Sequence, residues 1–178
     1  MIGHRAGPVP PAVSSTVRAV IRPIGVESLP ALADIMARAF DPRFGEAWNK
    51  AQCLAVLGLP GYAMLGAWAG AAGATCPPAG ISGFAITRTI CGESELLLIA
   101  VDPDSRGAGV GRALINHWLA QCNDTGVERA FLEMREDNDA RYLYESCGFS
   151  DLARRRDYYR GNDGVLRDAV TMETVLTR

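Results

Sequence analysis

Three glycines, Gly107, Gly109 and Gly111, stand between an apolar run that ends at Val101 and a segment with helical spacing. Glycines so close together at a helix entry let the main chain approach a ligand and leave the first N–H groups of the helix without partners. Those donors, with the positive end of the helix dipole, suit a phosphate or pyrophosphate. Two familiar phosphate loops do not fit. A Rossmann pattern starting at Gly107 or Gly109 needs glycine at 112 or 114, where Arg112 and Leu114 stand. A Walker loop needs Gly-Lys-Ser/Thr, and the only lysine is Lys50. The spacing left is Arg106-x-x-Gly109-x-Gly111, with Val-Asp-Pro before it.

That spacing resembles the acyl-coenzyme A loop of the GNAT family of N-acetyltransferases. Further matches are Gly83-Phe-Ala-Ile-Thr87 upstream, then Leu132-Glu-Met-Arg, Leu143-Tyr-Glu-Ser-Cys-Gly-Phe149, Arg155-Arg-Asp-Tyr-Tyr159 and Asp168-Ala-Val-Thr-Met172. In order and spacing the series is similar to the ribosomal-protein-alanine subgroup of bacterial enzymes. The match runs from about residue 79 to residue 173.

The resemblance implies acetyl-coenzyme A as co-substrate, direct transfer of acetyl to an amine, and no metal. It implies that the strand at Ile99, Ala100 and Val101 offers main-chain groups to the pantetheine arm, one N–H polarising the thioester oxygen. On the residues alone, the same stretch reads equally as core strand. Arg106, Gly107, Ala108, Gly109, Val110, Gly111 and Arg112 are implied to meet the pyrophosphate. Tyr144 is the implied general acid near the coenzyme sulfur, since a phenol with ordinary pKa near 10 stays protonated at neutral pH.

Glu133 matches the general base of the subgroup and lies near the C-terminal end of its strand, where open α/β sheets place sites. Glu95 is the reserve. An α-amine, with pKa about 7.7–8.0, needs only a modest base, whereas a lysine amine near 10.4 needs more. One departure concerns the coenzyme-contacting asparagine. Asn138 stands one residue closer to Tyr144 than the family pattern has it, and Asp137 fills the expected slot. Cys147 raises a relay through an acyl-cysteine, but no histidine lies nearby in sequence, and direct attack is preferred. The resemblance also assigns the acceptor to the loop Phe40–Trp48 and to the basic, aromatic stretch Arg154, Arg155, Arg156, Tyr158 and Tyr159. On an alternating strand the three arginines read equally as solvent-facing.

The implied reaction is acetylation of an N-terminal alanine of a protein, a small-subunit ribosomal protein. Alternatives are a GNAT enzyme acting on a small amine, an antibiotic or a lysine side chain, and a catalytically weak acyl-coenzyme A-binding module. The acceptor partner is the N-terminal segment of a protein, with no oligomeric state indicated.

The elements that must position these residues follow from patterning. The 178 residues fit one domain, and 48% hydrophobic with 21% charged residues is ordinary for a globular enzyme. A net charge of −2 gives no global case for nucleic-acid binding. Five cysteines without a Cys-x-x-Cys pair, with only His4 and His117, make a structural zinc site unexpected. No apolar run approaches the roughly 18 residues of a membrane span, and no signal-peptide core is seen, so a cytoplasmic location is expected.

Residues 1–16, rich in Pro, Gly, Ala and Ser, are expected to form a flexible arm before a single domain over 17–178. Strands are expected at 17–24, 62–69, 79–90, 96–101 and 127–135, with two more around the turn Gly161-Asn-Asp-Gly164. Helices are expected from Ser28, over 47–57, after Gly109, and over 140–147 with Gly148 as the closing residue. Periodicity alone gives an α/β class. The GNAT fold, a mixed and mostly antiparallel central sheet flanked by helices and splayed to admit the cofactor, is what the resemblance adds.

Overall fold

The structure is a computed structural model and describes residues 18–56, 58–70 and 80–176. The expected N-terminal arm lies outside the described residues. Seven strands form one sheet: β1 (Arg18–Pro23), β2 (Tyr62–Gly70), β3 (Gly83–Ile90), β4 (Glu93–Val101), β5 (Arg129–Arg135), β6 (Ser150–Arg160) and β7 (Leu166–Val175). Their order is β1-β2-β3-β4-β5-β7-β6, and every neighbouring pair but β4–β5 is antiparallel. The GNAT-type sheet is as expected.

The parallel junction governs everything that follows. β4 and β5 are paired only from Glu93 to Leu96 against Arg129 to Leu132. Beyond Leu96 the two strands part, yet β4 stays on β3 as far as Val101 and β5 stays on β7 as far as Arg135. A wedge therefore opens in the middle of the sheet. Asp102 N–H donates to Ser82 carbonyl at 2.9 Å, which fixes the alternation along β4. Counting back by twos, the main-chain groups of Ile99 and Val101 turn away from β3 and into the wedge.

Among the described residues four α-helices cover the sheet: α1 (Leu29–Ala39), α2 (Lys50–Val56), α3 (Val110–Asp124) and the short α4 (Arg141–Glu145). Ser28 precedes α1, though its side chain makes no cap, and Pro30 sits in the first turn, where its missing N–H costs nothing. Successive residues of β3 serve opposite faces. Phe84 and Ile86 pack with Leu29, Leu32, Ile35 and Met36 of α1, while Ala85 packs with Leu114, Ile115 and Trp118 of α3. Burying such side chains stabilises by about 1.5–3 kcal/mol each. The Trp118 indole N–H donates to the buried Ser94 hydroxyl at 2.9 Å, which lies 2.8 Å from the Thr89 hydroxyl.

The expected boundaries shift at the frayed ends. β4 begins at Glu93, ahead of the apolar run, because its first residues pair with both neighbours. α2 starts only at Lys50, behind Asn49, whose side-chain oxygen accepts from Gln52 N–H at 2.9 Å. β5 starts at Arg129 and α4 spans five residues only. Gly148 closes α4 with φ +93°, the left-handed geometry expected there.

Candidate active site

Two clefts meet in the wedge. The larger, about 720 Å³, is lined by Ile99, Ala100 and Val101 of β4, Arg106 and Gly107 of the glycine loop, and Asp137, Asn138, Ala140, Leu143 and Tyr144 around α4. The smaller, about 310 Å³, is lined by Leu97 and Leu98 of β4, Glu133 and Met134 of β5, Tyr159 of β6, and Gly45 to Trp48 from the α1–α2 loop. Phe40, Glu46, Ile99, Asn138 and Tyr144 line both. The larger thus lies between the glycine loop and the open ends of the two strands, the smaller where the strands begin to part, and they join at Tyr144.

The glycine loop has the donors expected of it. Arg106 N–H is held by Pro103 carbonyl and Ala113 N–H by Gly109 carbonyl. The N–H groups between, from Gly107 to Arg112, have no partner among the described residues. Gly107 and Gly109 have φ of +75° and +80°, and a side chain at either would enter open space. A concave run of free N–H groups at the start of α3 fits a pyrophosphate.

Ala108, Gly109, Val110, Gly111 and Arg112 continue this loop beyond the residues that line the larger cleft. Val110 is buried in the core, and a Cβ on Gly111 would come within 3.0 Å of Leu143 Cδ2. Gly111 therefore sets how closely α3 and α4 pack. The side chains of the two arginines are engaged elsewhere: Arg106 donates to Ala39 carbonyl at 2.9 Å and Arg112 to Ser146 carbonyl at 3.2 Å.

Tyr144 is seated by packing. Its ring meets Phe149 edge-on at 6.3 Å, and Phe149 stacks on Trp118 at 6.1 Å. Its own carbonyl accepts from Cys147 and Phe149 N–H at 2.9 and 3.1 Å, closing α4 beneath it. Burial, and secondarily the charge of Glu46, pushes the phenol far above its ordinary value of 10. It stays a proton donor throughout the physiological range.

Glu133 sits in the smaller cleft, paired with the Arg155 guanidinium and accepting from the Tyr159 hydroxyl at 3.3 Å. Burial and then Glu46 push the Tyr159 phenol up as well. Glu95 is bound to Arg88 at 2.6 Å and lines neither cleft, and Cys147 lines neither. Of the two candidate bases, Glu133 lies in the wedge and Glu95 outside it.

Asn138 and Asp137, between which the spacing left the coenzyme contact open, both line the larger cleft. Asn138 lines both clefts, its Oδ1 accepting from Ala140 N–H at 2.9 Å. Asp137 is taken up by Arg135, and by Arg167 at 3.4 Å. Of the basic, aromatic stretch, Arg155 and Tyr159 reach the site, whereas Arg154 pairs with Glu136 and Asp168 at 2.6 and 2.8 Å. Tyr158 packs under Arg155, with 3.8 Å from guanidinium carbon to ring centre.

Glu46 and Arg135 are site residues given no role of their own by the sequence, although Arg135 closes the Leu132-Glu-Met-Arg match and Glu46 lies in the Phe40–Trp48 loop. Glu46 accepts from Arg135 Nε at 2.7 Å, and the Arg135 guanidinium lies 3.4 Å from the centre of the Phe44 ring. Asn162, in the β6–β7 turn, donates through Nδ2 to Pro42 carbonyl at 2.6 Å and through its N–H to Arg43 carbonyl at 2.7 Å. The hairpin turn thus holds the α1–α2 loop over the cleft. The signal in the sequence was slight: one of two carboxylates, with Asp41, in the Phe40–Trp48 loop.

Comparison with known proteins agrees with this geometry. Residues 68–151 match the model of the acetyltransferase (GNAT) domain. The chain is 40% identical over 96 residues to the [ribosomal protein bS18]-alanine N-acetyltransferase of Haemophilus influenzae, a match covering 54% of this chain and 66% of that protein, just short of two thirds of its length. The crystal structure of the ribosomal-protein-S18-alanine N-acetyltransferase from Escherichia coli superposes with a TM-score of 0.77 at 31% identity, over 90% of this chain and 96% of that one. Arabidopsis thaliana NAA60 in complex with acetyl-CoA shares the fold, with a TM-score of 0.73 at 18% identity over 89% of this chain and 99% of that one. A wedge-split sheet, a nest of free N–H groups and a likeness that spans nearly the whole Escherichia coli enzyme agree, and the chain belongs to the GNAT family of acetyltransferases.

Proposed function

We propose that the chain is an acetyl-coenzyme A-dependent N-acetyltransferase that transfers acetyl directly to the α-amine of an N-terminal alanine, the acceptor being a small-subunit ribosomal protein. The observation that carries the reading is the meeting of two clefts at Tyr144, one reaching the glycine loop and the other holding Glu133. The acceptor is supported by the names of the Haemophilus influenzae and Escherichia coli relatives, both ribosomal-protein-alanine N-acetyltransferases.

Acetyl-coenzyme A supplies the acyl group as a thioester. The free N–H groups from Gly107 to Arg112 hold its pyrophosphate, and Ile99 and Val101 line its arm in the wedge. An N–H of that strand polarises the thioester oxygen, and a preorganised donor of this kind contributes about 10² to 10³ in rate. Glu133, steadied by Arg155 and Tyr159, receives the proton that the amine sheds. Tyr144 gives its proton to the departing sulfur. An α-amine suits so modest a base, because on the order of a tenth of it is already neutral at pH 7. Asn138, at the junction, meets the coenzyme arm. No helix among the described residues is long and apolar enough to cross a membrane; residence in the cytoplasm, where such an acceptor is made, belongs to the same proposal.

The test is thiol release from acetyl-coenzyme A with three peptides: an alanine-starting ribosomal N-terminus, its N-blocked twin and an N-blocked, lysine-containing control. Turnover with the free alanine terminus alone is expected. Turnover with the blocked, lysine-containing peptide assigns the chain to side-chain acetylation. Coenzyme binding with no turnover on any peptide moves the acceptor to a small amine or leaves a binding module.

A further inference from the structure

One carboxylate at the junction of the clefts has no part in the scheme above. Glu46 is the only charged side chain among the five residues that line both clefts. It is partly accessible, at 21% side-chain exposure, whereas its partner Arg135 is almost wholly covered, at 6%. Its Oε1 accepts from Arg135 Nε, which fixes the carboxylate without using Oε2.

The charges around it do not cancel. Arg135 also pairs with Asp137, and Arg167 pairs with Asp137 and Asp163, so three carboxylates share two guanidiniums. Glu133, by contrast, is matched one to one with Arg155. The unmatched negative charge in the wedge therefore lies on the Glu46 side. Its influence reaches across the site, since Glu46 raises the proton affinity of both the Tyr144 and Tyr159 phenols. About nine tenths of an aliphatic α-amine arrives protonated at neutral pH and requires a carboxylate where it docks.

We infer that Glu46 is the docking carboxylate for the acceptor's ammonium group, holding it at the junction of the two clefts while Glu133 remains free to take the proton. The ligand class is a primary aliphatic ammonium, whether on a peptide terminus or a small molecule. Glu46 makes and breaks no bond; it is an amine-binding residue. The inference rests on the acyl-transfer reading above.

Two variants separate a charge role from a structural one. Glu46→Gln keeps an acceptor for Arg135 Nε but loses the charge. Glu46→Asp keeps the charge but is one methylene too short for the 2.7 Å contact. Steady-state kinetics with the alanine-starting peptide and calorimetric affinity for acetyl-coenzyme A are measured on the full chain and both variants. A lost hydrogen bond to a charged partner predicts that Glu46→Gln raises the acceptor KM by on the order of tenfold or more, with coenzyme affinity held, and that Glu46→Asp recovers most of the loss.

The opposite order, Gln preserving KM and Asp raising it, overturns the inference and leaves Glu46 as a support for Arg135. An unchanged KM in both variants, or a matching fall in coenzyme affinity, overturns it as well. A wild-type chain that acetylates no amine at all sinks the acyl-transfer reading and this inference with it, an outcome distinct from failure in the variants alone.

Discussion

Arg155, on β6, reaches over the intervening β7 to pair with Glu133 on β5. The register explains how. Arg155 stands opposite Ala169 and Glu133 opposite Thr171, so both side chains meet above the same stretch of β7. Beyond Arg155 the strand bulges, with Asp157 at φ +53° and its N–H held by Asp168 Oδ1 at 2.9 Å. Pairing resumes at Tyr159, whose hydroxyl then comes to the same carboxylate. A bulge that aims side chains into a site is a common use of that device.

The relationship predicts unequal effects at its two ends. Glu133→Gln removes the proton acceptor and should lower kcat by on the order of 10²-fold, with coenzyme affinity unchanged. Arg155→Ala removes only orientation, and a smaller loss of kcat is expected. With the Arg155 side chain half exposed, the pair contributes at most about 1 kcal/mol to stability, so melting temperature should hardly move. Kinetics and thermal melts of both variants decide this. Full activity in Glu133→Gln would remove it as the base.

Tyr144→Phe isolates the phenol from the ring. The ring packs on Phe149, and phenylalanine keeps that contact, so folding and coenzyme affinity should be retained while kcat falls by about 10²-fold or more. Because the folded-state pKa is raised above the ordinary value of 10, the hydroxyl stays protonated from neutral pH to beyond pH 10. The kcat profile should accordingly show no alkaline decline from this group, and the wild-type and variant profiles should run parallel to about pH 10. Profiles that converge in the alkaline range would mean that the phenol ionises there and is not held above its ordinary value, whereas equal kcat in the two at neutral pH would remove Tyr144 as the acid.

What was legible in the sequence was what is local. Gly107 and Gly109 advertise a main-chain need, and Gly148 marks the end of α4, because only residues tolerant of positive φ serve there, while Gly111 is set by its close approach to Leu143. Tyr144 and Glu133 were found through matching motifs. The wedge was not legible from periodicity, since Leu97 to Val101 reads as buried strand whether or not β5 follows it. Glu46 was missed for a different reason. Its partner Arg135 is 89 residues away, and its loop has neither periodicity nor a motif. The same holds for the Asn162 contact with Pro42, 120 residues apart, which depends on where a hairpin turn falls after the sheet has formed.

The glycine loop permits a test that separates charge and bulk from packing. Gly109→Glu places a negative side chain in open space beside the free N–H groups and should weaken acetyl-coenzyme A binding by on the order of 100-fold or more. Gly111→Ala acts differently: its Cβ presses on Leu143 Cδ2, so the expected effect is a modest loss of stability, relieved by Leu143→Ala. Calorimetric titration and melts of the three variants distinguish the two. Undiminished affinity in Gly109→Glu would remove the pyrophosphate from this loop.

The β6–β7 turn should be the acid-sensitive part of the site. Asp163 is held down to about 2, first by hydrogen bonding to Arg167 and then by Val165 N–H. Asp168 is lowered by Asp157 N–H and by Arg154. A carboxylate whose folded pKa lies below its unfolded value of about 3.9 contributes stability that is whole above that value and is lost as pH falls through the folded pKa. For Asp163 the window runs from about 4 down to about 2. Below it the Arg167 clasp is gone, and with it support for the turn whose Asn162 holds the α1–α2 loop. Asp163→Asn, which has no charge to lose, should show a shallower fall in melting temperature between pH 4 and pH 2 than the parent chain, the two differing most at pH 4. Identical slopes would mean that this aspartate is bound no more tightly in the folded chain than in the unfolded one.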